Sequence, residues 1–248
     1  MLTAVSGSDT RTQSDVSDLP AGAVLIFLSA QIRIEMALFY FLRHGATAWN
    51  VEGGVCGSAD VPLSDMGRRQ AQLLAERLKS ISVVALYSSP LQRALETALL
   101  ICEAMGREPV VDSRLTELNY GTWEGMTFEE IERATPALYR AWNENPADLA
   151  PPGGETGVQL IQRVTAFLAE VAQKDQHGTV MVVCHKTVCR LLACHVMGVP
   201  LAEYRRRVPM ANAALNVFET QGGTWRVLEL NDTSHLRGPS EIGRSDDW

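Results

Sequence analysis

Ala37-Leu38-Phe39-Tyr40-Phe41-Leu42-Arg43-His44-Gly45 is a short apolar run that stops on a cation, an imidazole and a glycine. A run of that length with no polar alternation reads as a strand covered on both faces, as in a parallel sheet. Val83 to Tyr87 and Thr179 to Cys184 have the same character. Helical spacing follows each of the three. Asp65 to Lys79 carries Met66, Ala71, Leu73, Leu74 and Leu78 behind a Ser64 cap, Pro90 to Met105 opens with proline in its first turn, and Thr187 to Met197 follows the third run. Thr156 to Lys174 reads as a further helix, and Thr127 with Glu130 forms a capping box that predicts a short one through about Arg133. Pro136, Pro146, Pro151, Pro152, Gly153 and Gly154 punctuate the stretch between them, which reads as an irregular excursion over the surface. Ala213 to Glu219 and Thr224 to Leu230, split by Gly222-Gly223, predict a closing hairpin. The expected fold is an α/β three-layer sandwich, a mostly parallel central sheet with helices on both faces. No internal repeat or long linker interrupts it.

The three runs end on groups suited to phosphate. The first runs into Arg43, His44 and Gly45, the second leads to Arg93, and the third runs into His185. Ligands of open α/β sheets bind outside the carboxyl ends of the strands, so these separate segments are expected to meet in one site. Arginine holds phosphate oxygens with a rigid, permanently charged fork. Glycine at position 45 admits a close backbone approach, and the helix after His185 directs its positive end into the same space. A neutral imidazole attacks phosphorus, and neighbouring guanidinium groups favour that neutral form. Taken singly, each residue has a plainer reading: a structural histidine, a solvated helix arginine. The conjunction at strand ends gives them weight. His177 reads as a loop residue, and His195 and His235 lack a comparable setting.

Composition bounds the rest. The chain has 248 residues, 46% hydrophobic and 21% charged, as expected for one globular domain with a sizeable core. A net charge of -7 argues against nucleic acid or an anionic membrane as partner, so an anion site must be a local cluster of arginines. The five cysteines, Cys56, Cys102, Cys184, Cys189 and Cys194, form no CxxC pair and read as reduced thiols of a cytoplasmic protein. A metal cluster of the last three with His185 and His195 is disfavoured, because five helical residues turn about 500° and scatter the side chains. The apolar run Ala21 to Ala30 is too short to span a bilayer and lacks the basic flank of a signal peptide. Residues 1–20 have a disordered composition, and Met36, just before the first strand, offers an alternative start. The expected organisation is an N-terminal extension over 1–35, a single domain over 36–236 with a cap-like excursion near 119–155, and a tail over 237–248.

Several ordered segments resemble the histidine phosphatase superfamily, in its phosphoglycerate-mutase-like branch. They are Phe41-Leu42-Arg43-His44-Gly45-Ala46-Thr47-Ala48-Trp49-Asn50, Gly57 to Gly67, Ser88 to Ala98 around Arg93, Leu115 to Gly125 around Glu117, Pro152-Gly153-Gly154-Glu155-Thr156, and Val183-Cys184-His185. The resemblance implies that His44 is the nucleophile that becomes phosphohistidine. It implies that Arg43, Arg93 and His185 hold the phosphoryl oxygens, and that Glu117 protonates the leaving oxygen and then activates water. Asn50, Thr47, Gly45 and Ser58 are placed on the substrate side, and the family requires neither metal nor cofactor. Two residues depart from the family's habit: Ser58, where relatives carry a larger side chain, and Lys186, where they carry a small one after the second histidine.

The chemistry of phosphohistidine allows two fates, capture by water or transfer to a second hydroxyl. Between Glu117 and Pro152 only Arg133 and Arg140 oppose Glu124, Glu129, Glu130, Glu132, Glu144 and Asp148. A bisphosphate gains little from an acidic segment, which favours a phosphomonoester hydrolase over a mutase. A non-catalytic phospho-ligand binding protein is the remaining alternative, disfavoured because every reactive group is present. The expected partner is a small phosphorylated substrate, with no nucleic acid and no membrane; a homodimer stays open. Trp123, Phe128, Tyr139 and Trp142 read as the core of the excursion ahead of a lining for the pocket.

Overall fold

The protein, seen in a computed structural model, is described over residues 36–175 and 177–237. The expectations for 1–35, and for the tail beyond Arg237, lie outside the described residues. Strands β1 (Met36–Arg43), β2 (Ala85–Ser88), β3 (Val110–Val111), β4 (Gly178–Cys184), β5 (Leu215–Gln221) and β6 (Thr224–Asp232) form one sheet in the order β3-β2-β4-β1-β5-β6. The first four in that order pair in parallel, while β5 and β6 run antiparallel at one edge. The described helices are α1 (Ala48–Val51), α2 (Asp65–Leu78), α3 (Gln92–Met105), α4 (Phe128–Ala134), α5 (Pro136–Glu144), α6 (Gly157–Lys174), α7 (Lys186–Met197) and α8 (Tyr204–Arg207).

The continuous apolar runs follow from burial on two faces. Successive strand residues point to opposite sides, so a strand covered on both must be apolar throughout. Phe39 and Phe41 of β1 and Val180, Val182 and Cys184 of β4 pack with Leu160, Val164 and Phe167 of α6 and Leu191 and Leu192 of α7. Leu42 of β1 and Met181 and Val183 of β4 face the other way, against Leu74 and Leu78 of α2 and Ala94 and Ile101 of α3. This is the expected three-layer α/β sandwich. Truncating a fully buried phenylalanine such as Phe39 in such a core costs about 3–5 kcal/mol.

The turn of the β5–β6 hairpin needs positive φ at both central residues, supplied by Gly222 at 55° and Gly223 at 81°. Differences from expectation are local. β2 begins at Ala85, although the Val84 N–H still donates to the Thr179 carbonyl. The two residues of β3 are too few to leave a period in the sequence. The excursion is less irregular than its prolines suggest, because Pro136 opens a nine-residue helix instead of breaking one. At the first helical position proline has no intrahelical donor to lose.

Candidate active site

Strand register builds the centre of the site. Arg43 of β1 lies opposite Cys184 of β4, so His44 and His185 leave adjacent strands side by side. Their rings are 5.2 Å apart, and the His44 N–H donates to the Cys184 carbonyl. β2 ends one strand over, where the Ser89 hydroxyl lies 2.7 Å from His185 Nε2, and the turn into α3 brings in Arg93. Both histidines and both arginines are buried at 3% exposure or less, a closeness no surface motif would show.

The bonding fixes the His44 tautomer. Nδ1 is 2.6 Å from the Gly45 carbonyl, which only accepts, so Nδ1 carries the proton. Arg93 Nε donates to Nε2 at 3.2 Å, so the Nε2 lone pair faces the arginine. Burial first, then the guanidinium groups of Arg93 and Arg43, hold His44 well below the ordinary imidazole value of 6.5. His185 is held down in the same direction by burial and Arg93. The Arg93 fork is itself braced by the carbonyls of Ala59 at 2.7 Å and Gly57 at 2.6 Å, and Arg43 Nη1 donates to Met210 O at 2.5 Å.

Glu117 reaches the site from the loop before the excursion. Its Oε1 accepts from the Leu118 N–H at 2.7 Å, and its Oε2 from the Thr187 N–H at 3.0 Å, in the first turn of α7. Arg163 of α6 props that loop, donating to the carbonyls of Arg114, Thr116 and Glu117 while pairing with Glu155. Nothing in the spacing of Arg163 marks it as part of the site. Asn50 lines the cavity, and Asn212, also unread in the sequence, donates to its Oδ1 at 3.2 Å.

Three expected substrate-side residues have partners within the protein. Thr47 caps α1, accepting from the Asn50 N–H, and so positions Asn50. Gly45 has a packing reason to be small: a Cβ there would run into the Gly67 carbonyl, and one on Gly67 into Ala46. Gly67 in the first turn of α2 was the available signal, since glycine inside a helix costs about 1 kcal/mol against alanine and needs a reason. Ser58, next to the lining residue Gly57, donates through its N–H and hydroxyl to Glu124 Oε1.

The site opens into a cavity of about 470 Å³, within the range of small-ligand pockets. Helices α7 and α8 add Lys186, Arg190, Arg205 and Arg206 to its lining, and the excursion adds Tyr120, Phe128 and Asn143. Glu117 is the one carboxylate among the described lining residues. The acidic residues Glu129, Glu130, Glu132, Glu144 and Asp148 are exposed and line none of it. Charge counted along the excursion therefore misjudges the cavity, which takes its cations from a distant segment. Trp123 and Trp142 are core: Trp142 stacks on Phe128 and meets Tyr120 and Trp123 edge-on, and Tyr139 packs against both tryptophans; only Tyr120 and Phe128 of this cluster reach the cavity.

The remaining histidines and cysteines lie apart. His177 and His195 are exposed, while burial and Arg77 hold His235 down to about 4. All five cysteines are free thiols, and burial pushes Cys102 and Cys194 up to about 11. The thiols of Cys184 and Cys189 meet at 3.5 Å, which a helical count does not foresee because Cys184 belongs to a strand. Among the described residues no helix is long and apolar enough to cross a membrane.

The family profile described as "Histidine phosphatase superfamily (branch 1)" matches residues 39–233. Phosphoserine phosphatase 1 of Hydrogenobacter thermophilus is 35% identical over 201 residues, covering 81% of this chain and 95% of that protein. Phosphoglycerate mutase-like protein 4 of Arabidopsis thaliana is 36% identical, with 82% and 88% covered. Among solved structures, a mycobacterial glucosyl-3-phosphoglycerate phosphatase superposes with a TM-score of 0.73 at 30% identity, covering 80% of this chain and all of that one. With two histidines at adjacent strand ends and a match this long, the chain belongs to the histidine phosphatase superfamily, in its phosphoglycerate-mutase-like branch, and is an enzyme of phosphomonoester hydrolysis.

Proposed function

We propose that the cavity hydrolyses small phosphorylated metabolites through a phosphoryl group carried on His44 Nε2. The observation that carries this reading is the bond from His44 Nδ1–H to the Gly45 carbonyl, which leaves the lone pair on Nε2, at the floor of the cavity and against Arg93. In the first step Nε2 attacks phosphorus, the ester P–O bond breaks, and Glu117 gives its proton to the leaving oxygen. The imidazolium phosphate that forms keeps its Nδ1 proton on Gly45. Arg93, Arg43 and His185 hold the three non-bridging oxygens, with charge-assisted donors where charge builds. In the second step Glu117 takes a proton from water as the oxygen attacks phosphorus, the P–N bond breaks, and inorganic phosphate leaves a neutral His44.

Asn50, set by Thr47 and Asn212, contributes a polar contact at the wall; Gly45 and Ser58 act on loop geometry. The reading places one catalytic domain over residues 36–236, working in the cytoplasm without nucleic acid, consistent with five reduced thiols and the acidic balance of the chain. Phosphate release from an aryl phosphate, abolished in His44→Ala, tests it; an equal rate in the variant overturns it.

One observation favours a mutase as second reading, namely the further cations that line the cavity, Lys186, Arg190, Arg205 and Arg206, which suit a second phosphate. Formation of 2-phosphoglycerate from 3-phosphoglycerate faster than phosphate release would establish that fate for the phosphohistidine instead.

A further inference from the structure

We propose that Ser89 is a positioning residue: it holds His185 in the tautomer protonated on Nδ1, and that N–H is the group His185 offers to a phosphoryl oxygen. This inference rests on the phosphatase reading above and deepens it by naming the donor atom and the residue that selects it.

The two ring nitrogens of His185 differ in their partners. Nε2 lies 2.7 Å from the Ser89 hydroxyl, whereas Nδ1 is buried and has no hydrogen-bond partner among the described residues. Buried polar atoms are nearly always paired, so a lone ring nitrogen beside a reactive histidine calls for a function. The helix does not supply one. His185 stands at the cap position of α7, yet its side chain caps no amide there, and the Thr187 N–H of the first turn goes to Glu117. The ring lies 5.2 Å from that of His44, the residue whose Nε2 carries the phosphoryl group in the reading above. A ligand bonded at Nε2 would have to displace Ser89; one bonded at Nδ1 breaks nothing.

The direction of the Ser89 bond follows from the other contact of its hydroxyl. Oγ accepts from the Leu91 N–H at 3.3 Å, so the hydroxyl proton is the one left for Nε2. A neutral imidazole that accepts at Nε2 carries its proton at Nδ1. Burial first, then Arg93 of α3, His44, Arg163 of α6 and Arg43 of β1, hold the ring well below 6.5, so it is neutral at neutral pH. Such a ring donates from one nitrogen only, and the wrong tautomer would turn a lone pair toward the phosphoryl oxygen. Ser89 is well placed to choose. It is fully buried, and its N–H donates to the Val183 carbonyl of β4 at 3.0 Å, two residues before His185. His44, Arg93 and Glu117 are bonded to backbone groups, so His185 differs from them in depending on a side chain.

Long-range proton–nitrogen NMR of the histidine rings reads the tautomer directly. In the wild type the His185 signals, identified by their loss in His185→Ala, should show a protonated Nδ1 and an unprotonated Nε2. Inorganic phosphate should move the Nδ1 resonance further than that of Nε2. Ser89→Ala should shift the ring toward the Nε2-protonated form and lower kcat on an aryl phosphate by about tenfold, the scale of one hydrogen bond. In the His185→Ala background the same substitution should change the rate by less than about twofold, since its effect passes through the ring. A merely structural serine would lower the rate alike in both backgrounds. If the wild type releases no phosphate, the hydrolase reading fails while the spectrum still decides the tautomer. If Ser89→Ala does not fold, the wild-type spectrum and its phosphate titration decide alone. A protonated Nε2 in the wild type, a larger phosphate shift at Nε2, a tautomer unmoved by Ser89→Ala, or equal losses in the two backgrounds overturns the proposal.

Discussion

The two ends of the cavity are built by different means. At the strand edge the reactive groups are held by backbone: His44 by the Gly45 and Cys184 peptides, Arg93 by two carbonyls, Glu117 by two amides. The further cations that line the cavity stand on helices α7 and α8, and one of them, Arg205, is held by aromatic side chains and an asparagine. Backbone determines position without regard to which side chains vary nearby, whereas a side-chain scaffold is rebuilt by a few substitutions. The first arrangement suits chemistry common to a family; the second suits a choice of substrate.

Substitutions should separate the ends by size of effect. His44→Ala removes the nucleophile and should lower phosphate release by at least about 10⁴-fold in a steady-state assay, the scale of losing a residue that acts covalently. Glu117→Gln should lower kcat on alkyl esters by about 10²–10⁴-fold, the usual range for an acid–base group. The loss should be smaller for an aryl ester, whose leaving oxygen needs less protonation. Gly45→Ala forces its methyl into the Gly67 backbone and should cost about 1–3 kcal/mol in urea unfolding. Arg206→Gln, at an exposed position of α8, should stay within about 0.5 kcal/mol of wild type. Equal destabilisation by the two would erase the contrast between backbone and side-chain construction.

Within the cavity, acid should act on the strand edge, where the two histidines lie. His44 and His185 are both held below 6.5 in the folded state, so below that pH the unfolded chain binds more protons than the native one. Their contribution is therefore complete above pH 6.5 and falls as the pH drops. Each histidine costs up to about 1.4 kcal/mol per pH unit once the pH is well below its ordinary value. His235 titrates in the same direction, so the share of the site is read as the difference in slope between wild type and His44→Asn. No difference in slope would mean that His44 is not held neutral.

Legibility in the sequence followed the same division. The runs that became β1 and β4 were readable because both faces are covered, and the ends of those runs marked His44 and His185 directly. Glu117 and Asn50 needed the resemblance, since neither sits at a strand end. Arg163, Asn212, Arg205 and Arg206 carried no signal: each joins the site across a long stretch of chain, through contacts that no local period encodes. The acidic excursion was legible but misleading, because its carboxylates turn to solvent while its aromatic residues turn inward. Pro136 is a helix start among loop prolines, a distinction that rests on the helix that follows it.

The central claim is most directly tested by trapping the phosphoenzyme. Wild-type protein mixed with an aryl phosphate, quenched in alkali and digested, should yield a phosphorylated peptide containing His44. Phosphorus NMR of that peptide should place the phosphoryl group on Nε2, because Nδ1 is committed to the Gly45 carbonyl. A phosphoryl group on Nδ1, on another residue, or on no residue while phosphate is still released would contradict the account.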